Sequence, residues 1–217
     1  MIFVNFKTYK QATSSKAVEL IQKIVDAQKA SGVPIIPVVQ IADARLCVNT
    51  SVYSVWVQHV DNADQGQSTG WVTVEAAAET GITGTFLNHS EHKYTDPADL
   101  KKIADKCRSF GIETAIFASD LEDVKRVVEL EPSFVVFEPP ELIASKEASV
   151  AQAKLDEIRE ASEACGKIRL IVGAGIKSKE DVVVSLRMRA MGVAVSSAVV
   201  LSEDPYKVLI ELAGGFK

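Results

Sequence analysis

Short, unbroken apolar runs rich in β-branched residues recur along the chain at 2–6, 34–39, 53–58, 83–88, 113–118, 133–138, 168–173 and 192–197. They are continuous rather than alternating, the pattern of strands buried on both faces of a parallel sheet. Between them the apolar period lengthens to that of a helix. In "SKAVELIQKIVDAQKA" (15–30), Ala17, Leu20, Ile21, Ile24 and Ala27 share one stripe opposite a charged face. Asp96-Pro97 and Asp204-Pro205 read as an N-cap followed by proline at the first helical position, Ser178 with Asp181 reads as a capping box, and Gly32, Gly111 and Gly166 stand where helices should stop. The weakest helical segments follow the second and third runs, around "ADARLCVN" and "VTVEAAAET". Eight strands, each followed by a helix at intervals of roughly 20 to 30 residues, predict an α/β fold, a (β/α)8 barrel. A doubly wound sheet would need a glycine-rich turn after its first strand, and "NFKTYKQATS" contains no glycine.

Composition narrows the class. With 217 residues, 47% of them hydrophobic, the chain has material for a large core, and no compositional break divides it, so one barrel domain over 1–217 is expected. A formal charge of −5, with no cluster of lysine and arginine interleaved with aromatics, argues against nucleic-acid partners. Cys47, Cys107 and Cys165 are far apart and in no metal-ligand spacing, which suits buried thiols in a reducing compartment. The opening "MIFVNFK" reads as a strand rather than a signal peptide, and even the longest apolar stretch, "GVAVSSAVVL", is too short for a bilayer. A cytoplasmic protein acting on small molecules, with no membrane partner, is the expectation.

Barrels of this kind carry their chemistry at the carboxyl ends of the strands. Those ends supply Asn5 and Lys7 after the first strand, Asn88, His89, Ser90 and Glu91 after the fourth, Glu138 after the sixth, Gly173 and Gly175 after the seventh, and Ser196 and Ser197 after the eighth. Glu138 ends an apolar run and is followed by two prolines; burial there would raise its pKa and make it a stronger base. Lys7 could neutralise an anionic substrate, and the loops after the seventh and eighth strands are where such barrels often bind phosphate. The set suits a small phosphorylated carbonyl compound. Each residue also has an ordinary reading. A lone histidine is more often structural, a lone lysine is a surface charge by default, and Glu141 rivals Glu138. His92 is three residues beyond His89 but lacks the acidic or thiol partners of a zinc site. His59 reads as a loop or interface residue, and "VDNADQGQSTG" lacks the acidic spacing of a calcium loop.

"VNFKTY", "LNHSE", "FEPPELI" and "GAGI" stand in the order and spacing of the triosephosphate isomerase family, and the short loops resemble its archaeal branch. The resemblance spans essentially the whole chain. It implies a cofactor-free and metal-free isomerase of glycolysis and gluconeogenesis, acting on a small phosphorylated triose. Glu138 would be the base that moves a proton between two substrate carbons, and His89 a neutral electrophile at the amino end of a short helix, the division of labour for which this family is known. Lys7 would stabilise the enediolate and phosphate, and Asn5 would orient a substrate oxygen or Lys7 itself. Ser90 and Glu91 would support them, Glu91 by pairing with Lys7. Ile143, Ala144, Gly173, Gly175, Ser196 and Ser197 would line the substrate and phosphate site, and Thr69 in "GQSTG" would cross the interface of a homodimer or homotetramer. One segment departs from the family. Where relatives carry Gly-Thr-Gly in the closing loop, this chain has Ala144-Ser145-Lys146, and a non-glycine residue is disfavoured wherever positive φ is needed. That leaves two alternatives beside the isomerase: a catalytically weakened phosphosugar-binding homologue, or another phosphate-binding barrel enzyme such as an isomerase of amino-acid biosynthesis.

Overall fold

The computed structural model describes residues 1–139 and 155–217. Eight parallel strands close into a barrel in sequence order: β1 (Ile2–Asn5), β2 (Ile35–Val39), β3 (Trp56–Val57), β4 (Gly84–Leu87), β5 (Glu113–Ala118), β6 (Phe134–Phe137), β7 (Arg169–Val172) and β8 (Gly192–Val195). β8 pairs with β1 to complete the ring, Phe3 lying opposite Ala194. All eight expected strands form. β3 is the shortest because the start of its apolar run is bent away. The Tyr53 amide donates to the Ser51 hydroxyl at 3.1 Å, Val52 is 70% exposed, and pairing begins only at Trp56.

Strand residues alternate between two apolar environments, which is why the runs are continuous. Phe3, Val38, Trp56, Phe86, Ala115, Phe117, Phe134, Val136, Ile171 and Ala194 fill the barrel interior. Their neighbours Ile2, Val4, Val135, Phe137, Leu170 and Val172 belong to the second layer, between strands and helices. The interior is aromatic: Phe3 packs edge-on against Trp56 and Phe134, with centroids 5.0 and 5.3 Å apart. Gly84 makes room for this, since a Cβ there would come within 2.1 Å of the Trp56 ring.

The helical ring follows the cap signals. Asp96 and Asp204 accept from the amides of Ala98 and Lys207, Ser178 and Asp181 form a capping box, and Gly32 adopts φ 73° after the helix Ser15–Ser31. The segments with the weakest helical pattern become Ile41–Thr50 and the five-residue Val74–Ala78. The three cysteines are buried free thiols, and burial pushes Cys47 and Cys107 up to about 12 and Cys165 to about 11. Among the described residues no helix is long and apolar enough to cross a membrane.

Candidate active site

The inward parity of each strand fixes what reaches the barrel mouth. Two residues beyond inward-facing Phe3, Trp56, Val136, Ile171 and Ala194 stand Asn5, Gln58, Glu138, Gly173 and Ser196. β4 departs from the rule: Asn88 takes φ 60°, which breaks the alternation and brings the next side chain, His89, to the mouth. A cavity of about 330 Å³ results, lined among others by Asn5, Lys7, His89, Glu138, Gly175, Ser196 and Ser197.

Glu138 and His89 form its centre. The His89 Nε2 and the Glu138 Oε2 are 3.5 Å apart, and that carboxylate oxygen is buried with no hydrogen-bond partner among the described residues. Burial raises the Glu138 pKa to about 7. The Lys7 charge and the Ala174 amide pull the other way without cancelling it. The buried Ser90 hydroxyl also favours the charged form, yet it closes no well-formed hydrogen bond. A carboxylate so tuned is a stronger base than a solvated one, and it ionises near neutrality. His89 is held the opposite way. Burial, reinforced by the Lys7 charge, lowers its pKa to about 4, so the ring is neutral in the working range. The Glu91 amide donates to His89 Nδ1 at 3.1 Å, which leaves the proton on Nε2, the nitrogen facing Glu138. The site thus pairs a base with a neutral hydrogen-bond donor.

The expected helix behind His89 is absent. His89 sits in a tight turn, closed by the His92 amide donating to the His89 carbonyl at 2.8 Å, and the next helix begins only at Pro97. Among the described residues no short helix therefore presents its amino end to the ring. Burial and Lys7 keep it neutral instead.

Lys7 is held in place by its neighbours. Its backbone takes φ 45°, a conformation that disfavours a side chain by about 1 kcal/mol. Asn5 Oδ1 accepts from the Lys7 amide at 3.0 Å, and Gln58 Nε2 donates to the Lys7 carbonyl at 3.0 Å and to Asn5 Oδ1 at 3.3 Å. The Lys7 ammonium contacts Glu91 Oε1 at 2.6 Å across the mouth.

A base and a neutral imidazole flanking a cavity beside a lysine describe a proton-transfer site, and the comparisons with known proteins say which one. The family model described as triosephosphate isomerase matches residues 1–116 and 106–213. The chain belongs to the triosephosphate isomerase family. Proteins named triosephosphate isomerase from Methanothermus fervidus, Thermoplasma volcanium and Methanocaldococcus jannaschii are 36%, 34% and 32% identical to it. The aligned regions cover 97–98% of this chain and 96–98% of those proteins.

Set against the triosephosphate isomerase pattern, Asn5, Lys7, His89, Glu138, Gly175, Ser196 and Ser197 converge on one cavity. Glu91 lines an adjoining one with Lys7 and His89, and Ser90 lies behind Glu138. Gly173 does not line the cavity wall; it stands against Glu138 and leaves room for it. Thr69 is apart, on a separate groove with Trp71, Gln58, His59 and His92. His59 stacks on His92 with centroids 3.9 Å apart and reaches Asp61 at 3.3 Å, so both rings belong to that groove. Ile143 and Ala144, and with them Ser145 and Lys146, lie outside the described residues. Sequence reasoning missed Gln58, Tyr9 and Lys177. The signal for Gln58 was present, since it stands two residues beyond the inward-facing Trp56.

Proposed function

We propose that this chain is a triosephosphate isomerase, interconverting D-glyceraldehyde 3-phosphate and dihydroxyacetone phosphate through an enediolate. The observation that carries the reading is the Glu138–His89 pair: a carboxylate tuned to about 7 faces the protonated Nε2 of a neutral imidazole across 3.5 Å. Glu138 takes a proton from the carbon beside the carbonyl and returns it to the neighbouring carbon. His89 Nε2–H donates to the substrate oxygens as charge collects on them. Lys7 balances the enediolate charge, Asn5 and Gln58 hold Lys7, and Gly175, Ser196 and Ser197 border the phosphate end. No step calls for a cofactor or a metal.

Family membership supports a homodimer or homotetramer in which Thr69 reaches toward a neighbouring subunit, and a cytoplasmic, glycolytic setting. The exposed Trp71 beside Thr69 suits a contact surface of this kind.

Proton NMR of the isomerisation in heavy water tests the chemistry. Proton transfer through Glu138 places solvent deuterium on the transfer carbon of the product. Product formed with no solvent deuterium would point to a different reaction.

A further inference from the structure

The turn that carries His89 lies between β4 and the helix beginning at Pro97, outside any strand or helix. It opens at Asn88, with φ 60°, and closes at His92, whose amide donates to the His89 carbonyl at 2.8 Å. Within it the Glu91 amide donates to His89 Nδ1 at 3.1 Å, so the aim of the imidazole depends on where the backbone of 89–92 sits. His92 is exposed, and an exposed turn residue is ordinarily free to move. Here its ring instead lies flat on His59, with centroids 3.9 Å and planes 14° apart. Aromatic rings in contact attract one another beyond the area they bury.

His59 is anchored in a different part of the chain. It follows β3, and its Nε2 lies 3.3 Å from Asp61 Oδ1. Asp61 is tied to Val72 twice: its Oδ2 accepts from the Val72 amide and its own amide donates to the Val72 carbonyl, both at 2.7 Å. Tyr94 adds a second ring on His59, at 5.1 Å, and its hydroxyl donates to the Val60 carbonyl. The far end of the catalytic turn is thereby pinned to the base of the segment 61–72. Both His59 and His92 border the groove that holds Thr69 and also the space beside Lys7 and His89.

We infer that His92 is a positioning residue for His89: by stacking on His59 it fixes the far end of the catalytic turn and so the aim of His89 Nε2 at the substrate oxygens. This rests on the triose-phosphate reading, in which His89 is the electrophile. A hydrogen bond that strengthens as charge collects on the substrate loses most in the transition state when its donor is misaimed. The effect should therefore fall on kcat and spare KM.

Steady-state isomerisation of D-glyceraldehyde 3-phosphate by wild type, His92→Gln and His92→Phe, with sedimentation velocity at the assay concentration, is the test. Glutamine keeps a polar side chain at this exposed position but removes the ring; phenylalanine keeps a ring that can stack. We expect His92→Gln to lose about tenfold in kcat with KM little changed, and His92→Phe to recover most of the loss, all three proteins sedimenting alike. Wild-type kcat in His92→Gln would overturn the inference and leave the triose-phosphate reading intact. A loss that His92→Phe does not recover would also overturn it, since the stack would not be what matters. So would a loss that accompanies dissociation to a smaller species, which would make the ring an assembly contact. A wild type that does not isomerise the triose phosphate would remove the underlying reading as well.

Discussion

Gly173 stands directly against Glu138: a Cβ at position 173 would lie 3.0 Å from Glu138 Oε1 and 3.4 Å from its Cβ and Cγ. The seventh strand serves the base on the sixth by omitting a side chain. Gly173→Ala should displace the carboxylate by a few tenths of an ångström without unfolding the barrel. A proton-transfer step is sensitive to such a shift, so kcat should fall about ten- to a hundredfold. KM should change little, and steady-state kinetics alongside a thermal melt checks both.

The pKa values predict the pH profile of the free enzyme. Glu138 must be ionised to act as base, so kcat/KM should rise with pH through about 7 and then level. His89, at about 4, is already neutral across that range and adds no inflection near 6.5. A rise centred below 5 would mean that Glu138 is solvated or is not the base.

Stability should move the other way. The ordinary glutamate value is 4.5, so below it Glu138 is protonated in both folded and unfolded chains and contributes nothing. Between 4.5 and about 7 the folded state holds a proton that the unfolded state has lost, and stability falls as pH rises. Above 7 the full penalty applies, about 3 kcal/mol. His89 has the opposite slope between about 4 and 6.5, where the unfolded chain binds the extra proton. Glu138→Gln should therefore be inactive yet more stable than wild type at pH 8, by roughly 2 kcal/mol. The gain should vanish below pH 4.5, as denaturant unfolding at several pH values will show.

Gln58 is the support of Lys7. Gln58→Leu keeps the volume but removes the donors to the Lys7 carbonyl, to Asn5 Oδ1 and to the Val38 carbonyl. Asn5 Oδ1 keeps the Lys7 amide and the Val38 carbonyl keeps the Phe6 amide, but the Lys7 carbonyl loses its donor, which costs about 1–3 kcal/mol. Lys7, at φ 45°, is then free to relax away from the mouth. A loss of about tenfold in kcat/KM with a lower melting temperature is expected.

Thr69 lies on the groove beside Trp71. If it reaches a neighbouring subunit, Thr69→Arg should give monomers with greatly reduced turnover. Sedimentation velocity of the variant and of wild type decides it, and an active wild-type monomer would remove the interface role.

Much of this was legible because a closed parallel barrel buries both faces of every strand. Its strands then appear as unbroken apolar runs, and parity carries the inward face to Asn5, Glu138 and Ser196. What stayed hidden depends on backbone conformation rather than pattern. Nothing in "LNHSE" announces that Asn88 adopts φ 60° or that His89 closes a turn with His92 instead of heading a helix. Lys7 was legible as a strand-end cation, but its backbone at φ 45°, held by Asn5 and Gln58, was not. Gly173 reads as a phosphate-loop glycine, and nothing in the sequence pattern shows that it also stands against the Glu138 side chain beyond the adjacent strand.

The most direct test is a coupled steady-state assay of D-glyceraldehyde 3-phosphate isomerisation, comparing wild type with Glu138→Asp. Shortening the side chain by one methylene withdraws the carboxylate by about 1 Å while keeping its charge, and kcat should fall on the order of a hundredfold or more, with KM far less affected. A variant that turns over as fast as wild type, or a wild type that does not isomerise the triose phosphate, would contradict Glu138 as the base of this site.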